Sequence, residues 1–183
     1  GESLSISRGC TPYFSEIAEE FLDFLENERD CPTDFPFLLE LAHYEWVDLA
    51  LAIAKEEIND KQQQTDDLLD KVVRLSPLAW PLAYQFPVQL ISPEFLPLEP
   101  PDLPTTLLAY RDPEDAVKFV DVNSMTYRLL EIIQEREGIL VGDCLDQIAA
   151  ETQHPNPDAI KVGGLQILQD LAEKSIILVN GQL

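Results

Sequence analysis

Prolines are concentrated in one stretch of the chain, and they constrain its fold more than any other sequence feature. Eight of the 14 prolines lie within residues 75–104. Because proline lacks a backbone N–H and its ring clashes with the preceding helical turn, this stretch excludes a helix. It still carries large apolar side chains, including Trp80 and Phe86. We therefore predict an extended, packed strap with an edge strand near residues 84–91.

A strongly apolar segment before the strap, residues 35–58, predicts the central helix of the amino-terminal part. Pro36 suits a first helical position and Asp34 suits the N-cap. Apolar residues surround the helix on nearly all sides, which is typical of a buried helix. Polar residues on it, such as Glu40 and His43, should then have partners on other elements. A shorter amphipathic helix is predicted to begin at Thr11-Pro12.

The pattern after the strap predicts a small α+β unit. Residues 105–111 and 116–122 read as the strands of a hairpin around the turn at 112–115. Three helices follow, beginning near Asn123, near Gly142 and at Ala159, and residues 175–180 form a last strand. Two strands, three helices and a strand follow the order of a winged helix.

The fold class is therefore α+β, in three regions. Residues 1–70 are predicted to be the carboxy-terminal part of a helical domain, 71–104 the proline-rich strap, and 105–183 a winged-helix-like domain with a small antiparallel sheet. The chain starts with Gly1 rather than methionine, so we expect a fragment that lacks its natural start.

Charge limits the classes of partner. The formal net charge is −22 and the pI is about 4.1. Such a chain is repelled by phosphate and by anionic lipid, which argues against nucleic acid and membrane surfaces as partners. Three widely spaced cysteines fit neither a disulfide framework nor a zinc site, and no signal peptide is visible. We expect a cytoplasmic protein with reduced thiols.

Residue chemistry does not indicate an enzyme. Glu40 and His43 stand three residues apart on the central helix, but only two histidines are present and a metal site would need more ligands. Cys144 has no nearby histidine to activate it. Gly163-Gly164 indicates close helix packing or, less simply, the approach of a ligand. We predict a non-catalytic interaction protein with no metal and no cofactor.

Three segments resemble the HvfC-type family. They are TPYFSEIAEEFLDFL from residue 11, PFLLELAHYEWVDLAL from residue 36 and RLSPLAWPLAYQFPV from residue 74. Members of this family often carry a DNA-binding label. They usually begin with further helices before the position of Ser7, so the resemblance implies a fragment that lacks these amino-terminal helices. The family is also similar to accessory subunits of RiPP biosynthesis, including the methanobactin subunit MbnC. The resemblance implies an adaptor that binds a precursor peptide and a partner iron-dependent oxidase, and that is not itself the catalyst.

The carboxy-terminal pattern is also similar to PqqD-like RiPP recognition elements, in which a leader peptide adds to the strand edge of the hairpin and rests against the third helix. Transferred by position, this similarity implies eight peptide-binding residues. Five lie on the edge strand and three on the helix wall: Val117, Lys118, Phe119, Val120, Asp121, Ile160, Gly164 and Leu168.

Two other hypotheses stay open. A winged-helix transcription regulator would bind DNA through its third helix. That helix offers only Lys161 and Lys174 as bases against Asp158, Asp170 and Glu173, which is a poor electrostatic surface for DNA. An enzyme acting alone would need a metal with His43 among its ligands.

Overall fold

A computed structural model describes residues 35–56 and 67–180. These residues form an α+β fold of four helices and two three-stranded antiparallel sheets. The predicted α+β class is confirmed. The predicted helix from Thr11 lies outside the described residues, as do Asp34, Cys10 and Cys31. No helix in the described ranges has the length and apolar character needed to cross a membrane.

Helix α1 spans Leu38–Ile53, within the predicted segment. It begins later than predicted, because Pro36 lies in a turn and the Leu38 amide donates to the carbonyl of Phe35. Its end is set by Arg111, whose guanidinium donates to the carbonyls of Leu51, Ala54 and Glu56. These bonds satisfy carbonyls that have no further helical amide to accept from, so the helix can stop at Ile53.

The prediction that α1 is buried nearly all round is wrong for the end of the helix. Leu49 is 59% exposed and Ile53 is 41% exposed, whereas Val47 and Leu51 are fully buried. The apolar surface of α1 is therefore wider than the surface that the described residues cover.

Two strands lie where the sequence predicts the strap. Strand β1 spans Val72–Leu75 and β2 spans Ala79–Tyr84, followed by a short 3-10 turn at Val88–Leu90. The edge strand predicted near residues 84–91 thus lies earlier in the chain. Pro81 does not stop β2, because this edge strand is bonded only to β3 and a proline there can face away from its partner.

The predicted hairpin is present, as β3 at Thr105–Arg111 and β4 at Val117–Asp121. It joins β2 in one sheet, in the order β2-β3-β4. Strand β5, Ile139–Leu140, and strand β6, Ile177–Asn180, flank β1 in the other sheet. The single small sheet expected for the carboxy-terminal domain is therefore two sheets, and one of them takes its central strand from the predicted strap.

Three helices follow the hairpin as predicted: α2 at Ser124–Glu135, α3 at Val141–Thr152 and α4 at Pro157–Glu173. Asn123 caps α2 by accepting from the Thr126 amide at 2.8 Å. Asn156 caps α4 by accepting from the Ala159 amide at 3.2 Å, with Pro157 in the first turn. Polar caps and a first-turn proline are the signals by which the sequence marks these starts.

The sheet β2-β3-β4 is the middle layer of the fold. Leu107 and Ala109 of β3 face a core shared with α1, which we call the α1 core. Leu108 and Tyr110, which alternate with them, face a larger core shared with the three later helices, which we call the carboxy-terminal core. Because successive strand residues point to opposite faces, the all-apolar run in β3 serves both cores at once.

Candidate functional site: the open edge of strand β4

Strand β4 lies at the edge of its sheet. Its ladder with β3 pairs Leu107 with Asp121 and Arg111 with Val117, and no strand in the described ranges pairs with its other side. An edge strand leaves every second amide and carbonyl without a partner in the sheet. The predicted binding strand is therefore placed where a further strand could add.

The hydrogen bonds that flank the ladder show which groups of β4 face outward. The Asp112 amide donates to the Ala116 carbonyl at 2.9 Å, and the Val122 amide donates to the Thr106 carbonyl at 3.1 Å. Because bonded and non-bonded pairs alternate in an antiparallel ladder, Lys118 and Val120 bond to β3. The amides and carbonyls of the alternate residues point away from the sheet; these residues are Val117, Phe119 and Asp121.

The opposite edge of the same sheet, on β2, is interrupted. The Arg111 amide donates to the Leu78 carbonyl at 3.0 Å, and the same alternation turns the backbone of Ala79, Pro81 and Ala83 outward. Pro81 has no N–H, and the Ala79 amide already donates to the Ser76 carbonyl. Only the Ala83 amide remains as an outward donor. Strand β4 is therefore the better edge for adding a peptide.

The side chains of β4 face two environments. Val117 and Phe119 are half-buried against the α1 core, where the Phe119 ring lies 4.4 Å from the ring of Tyr44. Lys118 and Val120 point to the other face, and both are exposed, Val120 by 38%. An added strand could thus contact an aromatic surface toward α1 and an open surface on the other side.

Polar side chains fix the two ends of β4. Asp112 accepts from the amides of Glu114 and Ala116, each at 2.9 Å, and pairs with Lys118 Nζ at 2.6 Å. The Lys118 hydrogen bond and then the Ala116 amide lower the pKa of the Asp112 carboxyl. At the other end, Gln89 Nε2 donates to Asp121 Oδ1 at 3.0 Å.

The helix residues predicted as the wall of the site lie elsewhere. Leu168 is fully buried in the carboxy-terminal core, and Ile160 packs at the edge of that core. A Cβ on Gly164 would lie 2.7 Å from Leu145 Cδ2, so this glycine allows close packing of α4 on α3. The main neighbours of α4 are α3, α2 and β6, while those of β4 are β3 and α1. The structure brings the five strand residues together, but it gives them α1 rather than α4 as their neighbour.

Glu40 and His43 of α1 have partners on other elements, as predicted, whereas Glu45 and Asp48 are exposed. Both carboxylate oxygens of the buried Glu40 accept backbone amides just after β2, from Gln85 at 2.8 Å and Phe86 at 2.9 Å. His43 Nδ1 lies 2.8 Å from the Tyr84 hydroxyl. Burial lowers the pKa of His43, and burial followed by the Glu40 charge raises the pKa of Tyr84. These bonds hold α1 against the sheet that carries β4.

The described residues hold no group of three or more His, Cys, Asp or Glu side chains placed to bind a metal. Cys144 is fully buried in the carboxy-terminal core, and burial raises its thiol pKa to about 11, which leaves it protonated at neutral pH. On α4, Lys161 pairs with Asp146 at 2.6 Å, so one of the two bases that the alternative DNA-binding hypothesis would use already has an acidic partner.

The sequence prediction of the site omits Tyr44, which lies in the segment predicted as the central helix, and Gln89, which lies in the predicted strap. It also places the edge strand near residues 84–91 rather than at β2. The available signal for β2 is the alternation of Trp80, Leu82 and Tyr84 around Pro81, because a period of two with a proline between apolar residues fits an edge strand.

The described residues thus form a helix-flanked sheet whose edge strand β4 offers main-chain groups to which an extended segment could add. A family model described as the HvfC C-terminal domain matches residues 76–172, more than half of the chain. The chain belongs to the HvfC family. No curated protein matches the sequence.

Proposed function

We propose that this protein is a non-catalytic adaptor that binds a RiPP precursor peptide and a partner iron-dependent oxidase. In this proposal the leader of the precursor adds as a strand along β4, as in PqqD-like recognition elements, and the protein pairs with the oxidase as MbnC-like accessory subunits do. Membership of the HvfC family supports the biosynthetic context. The outward backbone of Val117, Phe119 and Asp121 is the observation that carries the binding mode, because strand addition needs consecutive donors and acceptors on an open edge.

The order of elements supports a winged-helix-like, PqqD-like arrangement for the carboxy-terminal unit. Strands β3 and β4, helices α2, α3 and α4, and strand β6 follow one another in the predicted order, with the short strand β5 between α2 and α3. The hairpin β3-β4, however, lies in a sheet with β2, whereas β5 and β6 lie in the other sheet with β1. In our proposal the peptide therefore rests against α1, rather than against α4 as a PqqD-like arrangement would imply.

The first experiment recovers the partners. The protein is used as bait in its native cell, and the captured material is analysed by mass spectrometry and for iron. We expect an iron-containing enzyme and a small cysteine-bearing peptide. Recovery of DNA, or of the protein alone, would contradict the adaptor proposal.

The second experiment locates the peptide by amide hydrogen exchange. The recovered peptide should slow exchange at Val117, Phe119 and Asp121, whose amides point outward. Lys118 and Val120 should change little, since β3 already protects them, and Ala83 on the opposite edge is the control. Protection at Ala83 instead of β4 would reject β4 as the binding strand.

A further inference from the structure

We propose that the peptide taken by β4 is basic on the face that it turns toward α1, with a lysine or arginine beside Asp121, Glu45 and Asp48. This inference rests on the proposed function and specifies the chemistry of its ligand.

Helix α1 borders the open edge of β4. The rings of Tyr44 and Phe119 lie 4.4 Å apart, so the helix packs on the face of β4 that carries Val117, Phe119 and Asp121. A strand added to β4 would turn every second side chain toward the same helix. Those side chains would lie next to Tyr44 and the residues around it.

Carboxylates surround that position. Asp48 lies one helical turn after Tyr44 on the same face, Glu45 follows Tyr44 directly, and both are exposed. Asp121 is exposed at the end of β4. Burial raises the pKa of the Tyr44 hydroxyl, and the negative charges of Glu45, Asp48 and Asp121 raise it further. All three carboxylates therefore lie close enough to affect the Tyr44 hydroxyl.

The cations of the hairpin do not neutralise these carboxylates. Lys118 lies on the opposite face of β4 and pairs with Asp112 at 2.6 Å. Arg111 donates to carbonyls at the end of α1 and lies 3.6 Å from Asp115. The face toward α1 therefore combines an aromatic surface with three carboxylates that form no ion pair with a cation of residues 35–56 or 67–180.

This combination fits an extended basic peptide. The aliphatic stem of a lysine or arginine can cover the Tyr44 and Phe119 rings while its charged end reaches the carboxylates. An acidic peptide would be repelled, which adds selectivity to the backbone bonds that any sequence can make.

The test uses three fluorescently labelled ten-residue peptides whose terminal charges are removed. Valine alternates with lysine in the first peptide, with glutamine in the second and with glutamate in the third. Binding to the full chain is measured by fluorescence anisotropy. We expect the lysine peptide to bind roughly tenfold more tightly than the glutamine peptide, since each exposed ion pair contributes a small factor and three can act together. The glutamate peptide should bind more weakly than the glutamine peptide.

A matched pair of variants separates the local effect from the total charge. Glu45→Gln/Asp48→Asn/Asp121→Asn should abolish most of the preference for lysine. Glu94→Gln/Glu99→Gln/Asp102→Asn removes the same charge from exposed positions on the strap and should keep it. Equal loss in both triple variants would overturn the inference, because the preference would then follow net charge alone.

Amide exchange distinguishes this inference from the proposed function. If the glutamine peptide binds as tightly as the lysine peptide and protects Val117, Phe119 and Asp121, the basic-ligand inference fails while strand addition stands. If none of the three peptides protects these amides, the inference fails, and the recovered precursor peptide tests strand addition separately.

Discussion

At the scale of single residues, a few buried polar contacts determine where α1 sits. Glu40 is only 8% exposed, yet it is charged and lies in a helix that the sequence predicts to be buried. It is tolerated because both carboxylate oxygens accept backbone amides. The sequence predicts that this residue needs partners, but it does not indicate that they are the amides of Gln85 and Phe86.

Glu40→Ala should lower the free energy of unfolding by roughly 2–3 kcal/mol, because it leaves two backbone amides without an acceptor. Urea denaturation measures this cost. Glu45→Ala is the matched control, since Glu45 is exposed on the same helix and should change stability by less than about 0.5 kcal/mol. Equal costs would show that the Glu40 contacts do not anchor α1.

His43 should make stability depend on pH. Burial lowers its pKa in the folded state, so below an unfolded pKa of about 6.5 the unfolded chain takes up a proton that the folded chain does not. This contribution to stability is complete above that pH and is lost as the pH falls toward the folded pKa.

The comparison is between the wild-type chain and His43→Gln, which cannot titrate in this range. Between pH 7 and pH 5.5, the wild-type chain should lose up to about 1 kcal/mol relative to the variant. Unfolding curves at the two pH values measure the difference. A stability difference that does not change with pH would contradict a buried, neutral His43.

At the scale of elements, the close packing of α4 on α3 requires one of the two adjacent glycines of α4. Gly164 is buried against Leu145, whereas Gly163 has no atom within 4 Å of an added Cβ. Gly163→Ala should therefore stabilise the protein by about 1 kcal/mol through helix propensity alone. Gly164→Ala should destabilise the protein. The added methyl group would overlap the buried Leu145 at a cost of about 1–3 kcal/mol, which offsets the gain in helix propensity. Thermal unfolding of the two variants is the test, and a gain in both would contradict the packing role of Gly164.

The orientation of β4 gives a second prediction at this scale. Proline at Asp121 removes an amide that faces outward, whereas proline at Val120 removes one that bonds to the buried Leu108. Val120→Pro should cost roughly 2 kcal/mol more than Asp121→Pro, because the Leu108 carbonyl is left without its donor. Both side chains are exposed, so their loss should cost a similar amount in the two variants, and the difference in stability reports the lost amide. Similar losses in chemical denaturation would mean that the alternation along β4 is assigned wrongly.

At the scale of the whole molecule, the two sheets join regions that are distant in sequence. Strand β1, before the hairpin, pairs with β6 at the end of the described chain and with β5 between α2 and α3. Val73 of β1 is 1% exposed in the carboxy-terminal core. The range matched by the family model, residues 76–172, contains neither β1 nor β6.

A fragment of residues 76–172 should therefore fail to unfold cooperatively, whereas residues 35–183 should retain a cooperative transition. Without β1 and β6, Ile139 loses its strand partner, and the apolar side chains of the carboxy-terminal core lie open to water. Circular dichroism during thermal unfolding compares the two fragments. A sharp transition in the shorter fragment would show that β1 and β6 are dispensable.

The sequence by itself determined the elements whose signals are local. The hairpin, the cap at Asn123 and the approximate extent of α1 follow from turn chemistry, capping and periodicity, because these depend on neighbours within a few residues. Strand β4 is predicted for the same reason, whereas its role as a binding site is implied only by the resemblance to PqqD-like elements.

Only the tertiary structure decided what lies next to that strand. The pairing of β1 with β6, the blocking of β2 by Pro81 and the placement of α1 rather than α4 against β4 all depend on contacts between residues far apart in the chain. Local sequence patterns do not predict such contacts. An apolar face indicates that an element is buried, but it does not indicate which other element covers that face. The sequence therefore indicated the strand, and the packing of the elements decided that this strand lies at an open edge of its sheet, beside α1.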